Sequence, residues 1–157
     1  MSRTAQVKRD TKETQIAVQL ELDGTGKSSL DTGIKFFDHM LDGFARHGLF
    51  DLKVVCKGDI QVDCHHSIED TGIVLGNAIK EAVGDKKGIR RYGYFILPMD
   101  EALVLCALDL SGRPYFVYDA QFIGDRCGEM DTQMTKEFFY AVSYAAGMNL
   151  HIKVLYG

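Results

Sequence analysis

Residues 13–24 read ETQIAVQLELDG, and a related stretch, EALVLCALDLSG, occupies residues 101–112. Along the first stretch apolar residues alternate with mostly polar ones, which predicts a half-buried strand. The two stretches align without a gap, from Glu13 opposite Glu101 to Gly24 opposite Gly112. This match indicates that the second part of the chain repeats the first.

A second pair of stretches supports the repeat. Residues 48–58, GLFDLKVVCKG, match residues 147–157, GMNLHIKVLYG, at equal length. Between the paired stretches each half has an aromatic helix pattern, which contains His39 in the first half and Glu137 in the second. Chance similarity between amphipathic segments is the alternative, but two ungapped matches in the same order favour a duplication.

Hydrophobic periodicity and turn residues predict the elements of the first half. They are strands at 15–23 and 28–30, a helix from 36 with Gly48 as the glycine after its end, strands at 51–57 and 60–64 around a hairpin turn, and a helix at 67–83. Each half is therefore expected to run strand, strand, helix, strand, strand, and the first half adds a helix. We divide the chain into a first repeat, 1–93, and a second repeat, 94–157.

The motif His65-His66-x-x-Glu69 lies where the last predicted strand of the first half ends and its last predicted helix begins. On a helix Glu69 lies one turn from both histidines, whereas neighbouring side chains diverge by about 100°. The two imidazoles are therefore placed for two metal ions, or for one ion and one substrate. The alternative is a solvated helix start with an acidic first turn. Cys64 is either a further ligand or, as its alternation favours, a buried side chain.

The repeat predicts a second copy of this motif. In the first half Gly58 is followed seven residues later by His65, but the second half stops at Gly157. We therefore expect the second repeat to lack its final strand, its HHxxE motif and its helix. Either the chain is truncated or the second half has lost its site.

The composition narrows the class of protein. The chain has 157 residues, of which 46% are hydrophobic and 25% charged, and this suits one compact domain or two small half-domains. The net charge of −4 argues against nucleic-acid binding. No apolar run approaches a membrane span. The four cysteines form no CxxC pair, which favours reduced thiols and a cytoplasmic location.

Several motifs together resemble those of the imidazoleglycerol-phosphate dehydratases of histidine biosynthesis. They are residues 9–14, 37–41, 47–51, 58–70, 88–93, 98–103 and 109–115. The resemblance implies an α+β two-layer sandwich made from a duplicated half-domain, like ribosomal protein S5 domain 2. It also implies metal-dependent dehydration of D-erythro-imidazole glycerol phosphate to imidazole acetol phosphate. Family members form trimers that pack into a 24-subunit cage, with active sites between subunits and two manganese ions in each site.

The resemblance also implies residue roles. The metal ligands are His39, His65, His66, Glu69 and Glu137. The substrate-binding residues are Glu13, His39, His47, His65, His66, Glu69, Arg91 and Arg113, with the two arginines on the phosphate. Glu13 and Glu69 are the catalytic candidates, and Glu13 is the candidate proton shuttle. Taken singly, Glu13 could be an acidic residue at a strand start and each arginine a solvated side chain.

The sequence departs from the family pattern because the second HHxxE motif and a later segment with a phosphate-binding lysine and serine are missing. We therefore expect a chain of this length to bind less manganese or none, and to have little or no activity. The alternative to an active enzyme is a fragment that forms trimers and keeps half a metal site. A metallohydrolase and a metal-free RNA-binding module are further alternatives.

Overall fold

The structure is a computed structural model, and it describes residues 2–157. In chain order the elements are β1 (Thr4–Asp10), β2 (Thr14–Glu21), β3 (Ser28–Asp31), α1 (Lys35–Gly48), β4 (Asp51–Gly58), α2 (His65–Val83), β5 (Tyr92–Met99), β6 (Ala102–Asp109), β7 (Tyr115–Asp119), β8 (Arg126–Cys127), β9 (Met130–Asp131), α3 (Met134–Ala146) and β10 (Asn149–Tyr156).

Two four-stranded sheets have the same topology. The strand order is β1-β2-β4-β3 in the first sheet and β5-β6-β10-β7 in the second. In each sheet three strands are antiparallel, and the last strand is parallel to its neighbour. The α+β class predicted from the sequence is therefore confirmed, and both halves are built on one pattern.

The helices join the two sheets. α1 and α2 pack on the first sheet, α3 packs on the second, and α2 packs against α3. The contact between α2 and α3 is close because a Cβ added at Gly76 would lie 2.7 Å from the Cβ of Ala145. The rings of Phe37 in α1 and Phe138 in α3 also meet, with centroids 5.3 Å apart. The two halves therefore share one hydrophobic core.

The predicted strand at 60–64 is wrong, because these residues form turns that lead into α2. The amide of Val62 donates a hydrogen bond to the carbonyl of Asp59 at 2.8 Å, which closes the turn. Ile60 and Val62 are 47% and 69% exposed, so their alternation does not mark a buried strand face. α2 begins at His65, two residues before the predicted start, so both histidines belong to its first turn.

The sequence prediction missed β1. Its residues, TAQVKRD, are mostly polar because β1 is an edge strand of which only Ala5 is buried. Its repeat counterpart is β5, since Thr4 pairs with Glu21 as Tyr92 pairs with Asp109. The predicted division between residues 93 and 94 falls after the second residue of β5.

The residue after α1 also differs from the prediction. Leu49, not Gly48, has the left-handed conformation, with φ 58°, and its counterpart after α3 is Gly147, with φ 66°. The structural repeat is therefore displaced by one residue from the sequence match of Gly48 with Gly147. An irregularity between Val154 and Tyr156 shifts the pairing of β10 with β6 by one residue and restores the sequence match at the end of β10.

This displacement aligns two predicted site residues. His39 lies ten residues before Leu49, and Glu137 lies ten residues before Gly147. The two side chains therefore occupy equivalent positions near the N-termini of α1 and α3. No helix in residues 2–157 combines the length and the apolar character needed to cross a membrane.

Candidate functional site

Buried residues anchor the start of α2. Ser67 and Ile68 are fully buried, and the amide of Ile68 donates a hydrogen bond to the carbonyl of Cys64 at 3.1 Å. The Asp63 carboxylate accepts a hydrogen bond from the amide of His65 at 2.8 Å, which satisfies one of the free amides of the first turn. His65 and His66 keep 45% and 49% of their side chains exposed. The motif is thus held rigidly while its imidazoles stay accessible.

The two imidazoles have different partners. His65 Nε2 lies 3.0 Å from Glu69 Oε2, one turn along the helix. His66 Nδ1 lies 2.9 Å from Asp59 Oδ2, on the turn that precedes the helix. The ring centroids are 6.1 Å apart. The divergence that helical geometry predicts for adjacent histidines is therefore present, and each imidazole has its own carboxylate.

Glu13 lies beside this pair, in the turn between β1 and β2. Together with Lys57 and Asp59 it lines an open cavity of about 300 Å³. The hydrogen bond that His66 donates to Asp59 raises the pKa of His66, and the charges of Asp59, Glu13 and Asp63 raise it further. The side chains at this end of the molecule therefore favour a positive charge on His66 or a cation close to it.

His39 and Glu137 lie at the same end of the molecule as the histidine pair. Cys64, just before α2, has its sulfur 3.8 Å from Asp131 Oδ2, just before α3. A Cβ added at Gly128 would lie 3.7 Å from the Cβ of Phe36 in the first turn of α1. The N-termini of the three helices therefore lie at one end of the molecule, and the first two turns there carry all five predicted metal ligands.

Arg91 and Arg113 lie at the opposite end, around Asp109. Arg91 Nε donates a hydrogen bond to Asp109 Oδ1 at 2.6 Å. This bond lowers the pKa of Asp109, and the charges of Arg91, Arg113 and Lys86 lower it further. Lys86 follows the C-terminal end of α2, and its Nζ lies 2.9 Å from the position of a Cβ on Gly112. These three cations and one carboxylate form the basic cluster.

The basic cluster is far from the histidine pair of the same chain. α2 has 19 residues between them, which is about 27 Å at the rise of a helix. His47, in the last turn of α1, also lies away from the first turns of the helices. One chain therefore separates the predicted metal ligands and Glu13 from the predicted phosphate residues.

The donor types at the histidine end fit manganese, which accepts mixed imidazole and carboxylate ligands. One chain, however, brings these donors together only in pairs. Within the described part of the chain, no three His, Cys, Asp or Glu side chains lie close enough together to hold a metal ion. At this end one chain alone would therefore supply only part of a metal coordination shell.

The sequence prediction missed three charged residues, one beside the histidine pair and two in the basic cluster. Asp59 follows a glycine and indicates only a turn, Asp109 ends a strand, and Lys86 lies in a charged loop. Each gains its role from a residue outside its own turn, strand or loop, so no local pattern marks it. Cys64 is buried, as predicted, with an exposure of 6%, but it lies directly before α2 and not on the face of a strand.

The sequence of the chain matches a known protein family. The family model for imidazoleglycerol-phosphate dehydratase matches residues 32–157. The whole chain is 62% identical to the imidazoleglycerol-phosphate dehydratase of Lachnoclostridium phytofermentans and 58% identical to that of Acetivibrio thermocellus, and it covers 80% of each.

Solved structures of the family have the same fold. The crystal structure of imidazoleglycerol-phosphate dehydratase from Staphylococcus aureus subsp. aureus N315 superposes with a TM-score of 0.87 and 36% identity, over 98% of this chain and 85% of that one. The enzyme from Pyrococcus furiosus in complex with (S)-C348 gives 0.81 and 34%, over 96% and 80%. The chain therefore belongs to the imidazoleglycerol-phosphate dehydratase family, whose members are hydro-lyases of histidine biosynthesis.

Proposed function

We propose that this protein catalyses the manganese-dependent dehydration of D-erythro-imidazole glycerol phosphate to imidazole acetol phosphate. The observation that carries the proposal is the pair of diverging imidazoles at the start of α2, each with its own carboxylate. A single imidazole–carboxylate pair is common on a helix surface. Two such pairs that point in different directions are suited to two metal ions, or to one ion and one substrate.

His39, His65, His66, Glu69 and Glu137 are the proposed metal ligands. Bound manganese supplies a Lewis acid and a template for the imidazole ring of the substrate. Glu69 also holds the ring of His65 through Nε2, so it orients one ligand while serving as another. The donors come from the first two turns of three helices, and the shared core keeps these turns in place.

Glu13 is the proposed proton shuttle. The reaction releases the hydroxyl group of the carbon attached to the imidazole ring as water. It removes a proton from the neighbouring carbon, which becomes the ketone carbon of the product. Glu13 is exposed in the turn between β1 and β2 and lines the cavity beside Asp59. A carboxylate there can accept the carbon-bound proton and return it to the departing hydroxyl.

Arg91 and Arg113 are the proposed phosphate ligands, because their guanidinium groups suit phosphate oxygens. Since about 27 Å of helix separates them from His65 within one chain, we place the arginines of one subunit beside the histidine end of another. A homo-oligomer is thus part of the proposed function, and His47 would contact the substrate from the arginine side.

A second candidate function is an oligomer with half a metal site and no turnover. It is supported by the ligand pairs, because one HHxxE motif supplies at most part of the two-metal shell. On this second candidate, a protein of residues 1–157 alone has little or no dehydratase activity.

The other partners follow from charge and redox state. We propose no nucleic-acid partner and no membrane partner, since the net charge is −4. A cytoplasmic location suits the four cysteines, which are all free.

The test combines turnover and metal binding. The purified protein is loaded with Mn²⁺ and assayed for imidazole acetol phosphate, alongside the variants His66→Gln and His151→Gln. His151 is an exposed residue of β10 and serves as the matched control. Turnover that is lost in His66→Gln but kept in His151→Gln supports the dehydratase. Mn²⁺ binding that depends on His66, without turnover, supports the second candidate. A protein that shows neither turnover nor Mn²⁺ binding contradicts both candidate functions.

A further inference from the structure

Asp59 is a partly buried carboxylate beside the histidine pair. It lies in the turn after β4, which the hydrogen bond from the Val62 amide closes. Its side chain is only 18% exposed, against 49% for His66. Its Oδ1 atom is buried and has no hydrogen-bond partner in residues 2–157. The carboxylate is therefore fixed, and it binds His66 through Oδ2 alone.

The contact decides which nitrogen of His66 carries the proton. An ionised carboxylate only accepts hydrogen bonds, so Nδ1, at 2.9 Å from Oδ2, must be the donor. When the ring is neutral, the lone pair then lies on Nε2, on the far side of the ring from Asp59. That side is directed away from the partly buried turn.

His65 provides an internal contrast. Its carboxylate partner, Glu69, contacts Nε2 rather than Nδ1, at 3.0 Å. Glu69 is itself a proposed ligand, so an ion bound there replaces the hydrogen bond between the two side chains. Asp59 contacts the opposite ring nitrogen of His66, and its hydrogen bond can persist when Nε2 binds an ion.

We infer that Asp59 is a positioning residue, which keeps His66 in the Nδ1–H tautomer and so leaves Nε2 free to bind a divalent cation. The inference rests on the proposed function, because the cation is the manganese of that proposal. Asp59 acts through His66 and does not itself bind the ion.

The first test needs no metal. Solid-state ¹⁵N spectra of histidine-labelled protein, at a pH where His66 is neutral, report its tautomer, and His66→Gln identifies the signal. We expect Nδ1–H in the wild type and in Asp63→Asn, and a substantial Nε2–H population in Asp59→Ala. Asp63→Asn is the matched control, since it removes a nearby charge that does not contact the imidazole. An unchanged tautomer in Asp59→Ala overturns the inference.

The second test measures Mn²⁺ affinity by electron paramagnetic resonance. We expect Asp59→Ala to weaken binding by about 10–100-fold. Asp59→Asn, which keeps an acceptor oxygen, should lie between Asp59→Ala and the wild type. Asp63→Asn should change affinity about fivefold or less. Circular dichroism confirms that each variant is folded.

The inference is overturned if Asp59→Ala binds Mn²⁺ as tightly as the wild type does. It is also overturned if Asp59→Ala loses Mn²⁺ affinity as completely as His66→Gln, because Asp59 would then be a ligand. If the wild type binds no Mn²⁺, the manganese proposal fails, and the tautomer spectra alone then decide whether Asp59 positions His66.

Discussion

Two carboxylates outside the HHxxE motif bind predicted site residues, one on a histidine of the motif and one on an arginine. Asp59 orients His66, and Asp109 binds Arg91. Arg91 has a repeat counterpart in Arg3, because the carbonyl of each accepts a hydrogen bond from the residue after the adjacent strand, Leu110 or Leu22. Arg3 pairs with Asp23, whereas the repeat counterpart of Asp109 is Glu21, so the two arginines pair with carboxylates at different positions of the repeat. Phosphate must compete with Asp109 for Arg91.

The ion pair between Arg3 and Asp23 makes stability depend on pH. The hydrogen bonds from Arg3 lower the pKa of Asp23 to about 2, from an ordinary value of 3.8. Because the pKa is lower in the folded state, the pair stabilises the fold above the ordinary value, and this contribution is lost as the pH falls toward about 2.

Urea unfolding of the wild type and Asp23→Asn, at pH values from about 2 to 6, measures this effect. We expect the variant to be less stable at the upper end and equal to the wild type near the lower end. Asp10→Asn is the control, because Asp10 is exposed and has no ion pair in residues 2–157. A stability difference that does not change with pH would contradict the assignment.

Among the secondary-structure elements, the closest contact joins α2 to α3. Gly72 and Gly76 face α3 and lie on the buried side of α2. The spacing of four residues puts both glycines on one face of the helix. The two halves of the repeat therefore meet where side chains are smallest, and this contact sets the positions of His65 and Glu137 relative to each other.

Gly76→Ala tests this contact. The new Cβ would lie 2.7 Å from both the Ala145 Cβ and the Val142 carbonyl oxygen. We expect a loss of about 1–3 kcal/mol in the free energy of unfolding, measured with urea. Gly43→Ala is the matched control in α1, where nothing lies within 4 Å, and it should gain about 0.5–1 kcal/mol. Effects of the same sign would refute the packing argument.

The ends of α1 and α3 provide a second matched pair. Leu49 is left-handed and 61% exposed, so Leu49→Gly removes backbone strain and loses little burial. We expect a gain of about 0.5–1 kcal/mol in the free energy of unfolding. Gly147→Ala should lose about 1–2 kcal/mol, because its φ is 66° and a Cβ would lie 3.3 Å from the Gly112 carbonyl oxygen. Thermal unfolding of both variants would show shifts of opposite direction.

Across the whole molecule, the two sheets have the same topology but differ in the polarity of their exposed side chains. In β5 the neighbouring residues Tyr94 and Phe95 are 75% and 68% exposed. Because neighbouring residues of a strand point to opposite faces, both faces of the second sheet carry exposed apolar side chains. Tyr94 corresponds to the polar Gln6 in the first sheet. An apolar surface of this kind favours association.

We therefore expect a homo-oligomer, with a trimer for residues 1–157, although the family resemblance implies a 24-subunit cage. Native mass spectrometry measures the assembly in multiples of the 17.5 kDa chain. Tyr94→Glu should weaken the assembly because it puts a charge on the apolar face, whereas Gln6→Glu, at the equivalent position of the first sheet, should not. A wild-type protein that remains monomeric at micromolar concentration would contradict this expectation.

Local patterns in the sequence determined much of this protein. The repeat, the α+β class, the strand around Val18 and the helix that contains Ile68 all follow from periodicity, because burial of one face imposes it along a single element. The motif His65-His66-x-x-Glu69 likewise identified the histidine end, since its residue types and spacing are local.

Only the tertiary structure decided the rest. Local periodicity does not reveal the turn at 59–62, the edge strand β1 or the left-handed Leu49, because it reports the burial of one face and these residues are mostly exposed. The hydrogen bond between Asp59 and His66 and the separation of Arg91 from His65 along α2 likewise leave no trace in it. These features are set by how packed elements meet, and the chain's periodicity specifies the elements without specifying where their ends come together.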